Sequence, residues 1–288
     1  MNPSDESPLG VTGGSPASGD PYDPERFWDA KAVHSGGDFM RAVCCDDADT
    51  NRCIDRVQRH LLAAAMRFIA RRGGLGGATL LDFGCGSGRW VDFFARRGYR
   101  YSGVDISGEL LRLARGRWPD TSFSATQEGR IPYPDLSFDV ACSIAVIHHN
   151  PYERQQDLAA ELSRVVRDGG YLVLFESVAP LRLPGGVEFP RTLESWRALF
   201  ADLGMSLRLY RGARYGILRW ATEKLAQRLP VEVGTDRRIW LTGAGKPLWQ
   251  QLIDRLDSIV DPFLGPILPA RYHRRALMIF RKATSVGR

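Results

Sequence analysis

The sequence predicts an α/β fold, with helices on both faces of a doubly wound, mostly parallel sheet, and three observations carry that reading. Short apolar runs of strand length alternate with helical patterns through the middle of the chain, as repeated strand–helix–strand units require. The first of these runs ends on an acid and opens into a glycine-rich turn, "LLDFGCGSGRW", Leu80 to Trp90. The next strand, "YRYSGVDI", closes on a second acid, Asp105.

The elements follow in order. Residues 1–20 are rich in Ser, Gly and Pro and read as a disordered tail. The start has neither a basic cluster nor an apolar stretch, so no secretory signal is expected. Residues 21–77 form an N-terminal helical segment expected to lie over the active site. Its helices are "YDPERFWDAKAV" and "TNRCIDRVQRHLLAAAMRFIARRGG". In the second, Ile54, Val57, Leu61, Leu62, Ala65, Phe68 and Ile69 recur at helical spacing. The core, 78–212, runs strand "ATLLDF", helix "GRWVDFFARRG", strand "YRYSGVDI", helix "SGELLRLARGRW", strand "TSFSAT" and strand "FDVACSIAV". It continues with helix "YERQQDLAAELSRVV", strand "GYLVLFES", helix "TLESWRALFADLG" and strand "MSLRLYRG". Residues 213–272 exceed what such a sheet needs and read as an inserted helical cap. Residues 273–288 supply the last strand, "RRALMIFRKA", and a tail.

Composition narrows the function classes. No apolar run is long enough to span a bilayer. Five cysteines, an odd number without a CxxC pair, argue for reduced thiols and a cytoplasmic location. Cys44, Cys45, Cys53 and His60 match no zinc spacing, so no metal is expected. The net charge of +6 invites nucleic acid. Almost all the basic residues are arginine, however, which GC-rich codon usage also produces, and nucleic acid is not the expected partner.

In a doubly wound sheet, ligands bind outside the carboxyl ends of the strands, where glycine lets the backbone approach closely. The turn is not a phosphate loop, because it lacks the GxxxxGK[ST] spacing and the lysine. It is not a dinucleotide fingerprint either, since Gly84, Gly86 and Gly88 make GxGxG, with Arg89 following. Asp105, at the end of the second strand, stands where a carboxylate can accept both hydroxyls of a ribose.

With these residues in place, the chain resembles the class I S-adenosylmethionine-dependent methyltransferases, of the small-molecule "type 11"-like kind. "LLDFGCGSGRW" resembles the family's first motif and "GVDIS" its second. "IPYPDLSFDVACSIAVIHH" and "LSRVVRDGGYLVLFES" resemble two later ones. The resemblance covers roughly Ala78 to Gly212 and the last strand. It implies a Rossmann-like sheet with an antiparallel last strand and S-adenosyl-L-methionine as cofactor. The cofactor set it implies is Asp82, Gly84, Cys85, Gly86 and Gly88 at the methionyl part, Asp105 and Ile106 at the ribose, with Ser143 on the fourth strand. Where the family carries an aspartate for adenine, this chain has Gln127 with Glu128 beside it, and a glutamine oxygen can accept the same bond.

Methyl transfer is an in-line displacement that needs the acceptor held close and aligned, and an oxygen acceptor also has a proton to lose. The candidate bases are His149, His148 and Glu176, with His34 and Tyr152 more remote. "HNPYER" is similar to the "NPPY" of methyltransferases acting on nucleic-acid amino groups. It comes too late after the fourth strand and lacks a proline, so it reads as a helix start. Aromatic residues, among them Phe27, Trp28, Phe39, Tyr215, Trp220, Trp240, Trp249 and Phe263, suit a small-molecule or glycan acceptor. "YGILRWATEKLAQRL" is a lid helix by this reading, or a peripheral contact with an anionic membrane. Two alternatives stand beside the leading one: an RNA or protein methyltransferase, and a non-catalytic cofactor-binding protein. The oligomeric state is not legible.

Overall fold

The computed structural model describes residues 22–35, 48–73, 77–127, 129–178, 188–213, 248–264 and 273–284, with single positions at 218, 221 and 267. The elements are α1 (Pro24–His34), α2 (Ala48–Gly73), β1 (Thr79–Phe83), α3 (Val91–Ala95), β2 (Arg100–Asp105) and α4 (Gly108–Arg117). They continue with β3 (Ser122–Ala125), β4 (Phe138–Ile144), a 3-10 turn (Ile147–His149), α5 (Tyr152–Val165), β5 (Val166–Ser177) and α6 (Leu193–Ala201). The chain closes with β6 (Met205–Ala213), α7 (Leu248–Leu264) and β7 (Arg275–Lys282).

The seven strands lie in the order β3-β2-β1-β4-β5-β7-β6. The pairs β1–β2, β2–β3, β1–β4 and β4–β5 are parallel. β7 is antiparallel to both of its neighbours, β5 and β6. The order reverses between β1 and β4, so the loops leaving these two strands diverge and open a crevice at their carboxyl ends.

The strands read as continuous apolar runs because both faces of the sheet are covered. On one face, Leu62, Ala65 and Ile69 of α2 and Phe93 and Phe94 of α3 pack against Leu80, Val140, Val173 and Ile279. On the other, Leu158 and Leu162 of α5 and Trp196 and Phe200 of α6 pack against Leu81, Leu172, Leu174 and Phe280. Phe94 is wholly buried and meets Phe93 and Tyr99 edge-on. Phe94→Ala is expected to destabilise the fold by about 3–5 kcal/mol, read as a lower urea midpoint; an unchanged midpoint would contradict the core assignment.

Two elements differ from the sequence reading. The helix after β1 is only Val91–Ala95, because residues 84–90 are spent on the turn and Gly98, at φ +80°, ends it. β5 starts at Val166 instead of after the glycines, since Val166 already pairs with Phe138. The register then shifts, and Gly169, at φ +70°, takes up the extra residues as a bulge.

Of the inserted segment, α7 is described and packs along α2, where the Cys53 thiol donates to Asp261 at 3.3 Å. Apart from 218 and 221, residues 214–247 lie outside the described residues, and with them most of the lid-or-membrane helix. Among the described residues no helix is long and apolar enough to cross a membrane.

Candidate active site

The crevice at the switch point is a cavity of about 1610 Å³, its open mouth included. Its floor is the turn after β1 and the loop after β4. Its roof is α1 and α2. Two acids fasten the roof to the floor. Asp29 of α1 accepts from the Ser107 hydroxyl, beside the backbone N–H of Glu109. Asp55 of α2 accepts from Arg89 Nε and Nη2 at 3.1 and 2.9 Å, which ties that helix to the glycine turn.

At one end of the cavity the glycines are needed for stated reasons. Gly84 has φ +72°, and a Cβ there would come within 2.3 Å of Val146. At Gly86, φ +54°, the nearest atom to such a Cβ is Leu110 Cδ1 at 4.0 Å, so this backbone faces open space. The Gly86 N–H donates to Asp105 Oδ2 at 2.7 Å and the Ser107 N–H to Oδ1 at 2.9 Å. Burial raises the Asp105 carboxyl above the usual range, and the backbone N–H groups of Ser107, Gly86 and Ile106 oppose it. Each carboxylate oxygen keeps a lone pair for a further donor.

Asp82 lies beneath the turn and does not line the cavity; its Oδ2 accepts from Tyr101 Oη at 2.6 Å. Burial pushes its carboxyl up to about 7, against the Tyr101 bond and with help from the charge on Asp105. A raised acid holds an extra proton in the folded state. The stability it lends is therefore complete below about pH 4 and is lost as pH rises through about 7. Asp82→Asn is expected to flatten that decline in urea midpoints of the cofactor-free protein, and an unaltered pH profile would contradict it.

At the other end, Glu176 of β5 is wholly buried and organises the loop after β4. Its Oε1 accepts from Ser143 Oγ at 3.0 Å and from the N–H groups of Val146 and Ile147, each at 3.2 Å. Its Oε2 accepts from the His148 N–H at 3.2 Å and meets His148 Nδ1. This clamp holds Ala145 at φ +61°, a left-handed conformation that costs on the order of 1 kcal/mol outside glycine. The Ser143 hydroxyl and three backbone N–H groups already donate to this carboxylate, and with the ring proton on Nδ1 His148 becomes the fifth donor. That leaves the lone pair of Nε2, which is buried, has no hydrogen-bond partner among the described residues, and lies 4.0 Å from Glu188 Oε1.

His149 packs against His148 with the two rings tilted and their centroids 4.3 Å apart, and meets Trp28 of α1 edge-on at 5.4 Å. Glu188 comes from the segment leading into α6. Arg275 of β7 donates to both of its oxygens, at 3.1 and 2.5 Å. Burial alone would raise the Glu188 carboxyl, but the Arg275 guanidinium, which donates to both oxygens, outweighs it and holds it at about 2.

Of the residues anticipated from the sequence, Gly84, Cys85, Gly86, Asp105, Ile106, His148 and His149 line the cavity. Asp82, Gly88, Ser143 and Glu176 do not line it. Gln127 is exposed, in a tight turn closed with Arg130, and its neighbours Thr126 and Gly129 face the cavity instead. Glu128 lies outside the described residues. His34 is exposed on α1, and the Tyr152 hydroxyl, at the start of α5, donates to the Pro190 carbonyl at 3.0 Å. The sequence reading did not single out Gln58, Glu188 and Arg275, all on the cavity wall. Gln58 carried a signal: it is a polar residue on the apolar face of α2, 2% exposed, with its Oε1 unpartnered among the described residues.

Comparison with known proteins agrees with this geometry. Residues 81–174 match the family model described as "Methyltransferase domain". The chain is 32% identical over 109 residues to the demethylmenaquinone methyltransferase of Tropheryma whipplei (strain Twist), covering 37% of this chain and 44% of that protein. It is 31% identical over 135 residues to the "Probable 18S rRNA (guanine-N(7))-methyltransferase" of Dictyostelium discoideum, covering 43% and 47%. The chain thus spans less than half the length of these curated relatives. In fold it is similar to the magnesium protoporphyrin IX methyltransferase of Synechocystis PCC 6803 with bound SAH. The TM-score is 0.57 at 12% identity, over 90% of this chain and 98% of that one.

Proposed function

We propose that this chain, whose residues 81–174 form a class I S-adenosylmethionine-dependent methyltransferase domain, moves the methyl group of that cofactor to a small-molecule or glycan acceptor, at oxygen. The observation that carries the reading is one roofed cavity lined by two chemically different groups of residues. One group is the glycine turn with Asp105, and the other is His148, His149 and Glu188.

The residues of the first group fit the cofactor. Asp105 offers one lone pair on each oxygen to the two ribose hydroxyls, and the open side of Gly86 admits the methionyl part. Thr126 and Gly129 line the cavity and Gln127 does not, so the adenine contacts fall to the first two in this reading. When bound, the cofactor supplies a methyl group already activated by its sulfonium. The protein therefore has to align the acceptor and keep water out, and orientation of this kind is worth on the order of 7–11 kcal/mol. Trp28 and Phe27 of α1 cover the acceptor end with apolar surface. His148 and His149 face it and are placed to deal with the acceptor's proton. Glu176, wholly buried and saturated with donors, acts by positioning His148 and not as a base.

The fastened roof favours an acceptor small enough to pass beneath α1 and α2. The relatives do not decide the class, since one is named for a quinone precursor and another for ribosomal RNA. The test incubates S-adenosylmethionine, labelled on the methyl group, with the protein and fractionated cell extract. Label in the small-molecule, lipid or glycan fraction is expected. Label confined to RNA or protein would overturn the acceptor class, and cofactor binding with no labelled product in any fraction would overturn the enzymatic reading.

A further inference from the structure

We propose that His148, His149 and Glu188 hold a divalent transition-metal cation of the zinc type, which binds the acceptor oxygen and makes it nucleophilic. The existence of the site is independent of the methyl-transfer reading; its role rests on that reading.

One ligand atom from each of these three residues lies within 4.8 Å of the other two. Proximity alone would carry little. The independent observation is His148: its side chain is wholly buried, its Nδ1 is committed to Glu176, and its Nε2 has no partner among the described residues while lying 4.0 Å from a carboxylate oxygen. A lone pair facing a carboxylate in a buried pocket is a repulsive arrangement. A cation between the two removes the repulsion and satisfies both.

The surroundings have the form that metal ligands need. A ligating histidine is normally fixed by a carboxylate on its other ring nitrogen, which Glu176 supplies. Glu188 is oriented by Arg275, which takes one lone pair on each oxygen and leaves others available. The positive charge of Arg275 lowers affinity for a cation but also keeps Glu188 ionised. Two imidazoles and one carboxylate are a donor set suited to zinc, iron and their neighbours, with positions left open for an outside ligand. The donors are spread wider than bonds of about 2.0–2.1 Å allow. Closure falls to His149 and Glu188, which are partly exposed, while His148 stays fixed.

With the ion in place, an acceptor hydroxyl bound to it gives up its proton to water at lower pH than in solution. A lone pair on that oxygen forms the new bond to the methyl carbon. The carbon–sulfur bond breaks with its electron pair passing to sulfur, leaving a neutral thioether. No further reactant is required.

The test uses tag-free, chelator-treated full-length protein titrated with Co2+, read by visible absorption and calorimetry, with Zn2+ as competitor. One ion per chain is expected, displaced by zinc. Glu188→Gln and His149→Ala, both at partly exposed positions, should each weaken binding about tenfold or more. Folded protein that binds no ion, or equal affinity in both variants, would overturn the site; the competing occupant of His148 Nε2 is then a proton. Chelation should also lower turnover while affinity for S-adenosylhomocysteine holds. Turnover unaffected by complete removal of the ion would overturn the role. Failure of the underlying reading looks different: no S-adenosylhomocysteine binding, whatever the metal does.

Discussion

Asp105→Ala weakens S-adenosylhomocysteine binding, measured by calorimetry, on the order of 10²–10⁴-fold. Each oxygen of this carboxylate accepts a single backbone N–H and keeps capacity for one ribose hydroxyl. Charge-assisted hydrogen bonds contribute roughly 1.5–3 kcal/mol each, so the loss of two spans that range. The substitution also frees the N–H groups of Gly86 and Ser107, which removes order from the turn itself. Asp105→Asn separates the two effects, because its amide oxygen can still accept from one of those groups. An alanine variant that binds as tightly as the parent would remove Asp105 from the cofactor site.

His148→Ala lowers turnover on the order of 10²–10⁴-fold, because it removes from the acceptor end either a group that takes the proton or the buried ligand of the ion that makes the oxygen nucleophilic. Affinity for S-adenosylhomocysteine should change little, since the cofactor end of the cavity is held by separate residues. His149→Ala should lower turnover as well, while disturbing the fold less, because His149 is partly exposed and His148 is fully buried. A thermal melt accompanies both variants. Full turnover in folded His148→Ala protein would exclude the ring from the chemistry.

The sheet was legible because burial on both faces leaves unbroken apolar runs such as "YLVLFES", and the glycine turn punctuates the first of them. Asp105 was legible for a related reason: strand ends at a switch point are where ligands bind, and strand ends can be counted. His148 and His149 follow a strand end directly. Glu188 and Arg275 were not legible in the same way. They meet across a separation of 87 residues, and only the placement of β7 next to β5 brings them together. Glu176 was visible as an acid at a strand end, but its burial and its five donors depend on the loop after β4 folding back over it. Gln127 is exposed in the turn it makes with Arg130, a placement that spacing along the sequence does not show.

The position of β7 has a consequence for how the chain is made. β5 and β6 leave the ribosome well before β7, yet they do not pair with each other; both pair with β7. Until residue 282 has emerged, each carries a row of unmatched amide and carbonyl groups beside an apolar face. The whole inserted segment has to be synthesised during that interval. Such late, long-range closure slows folding and prolongs exposure to other chains. A nascent chain stalled before Arg275 should therefore engage chaperones strongly, and one extended past Lys282 should release them.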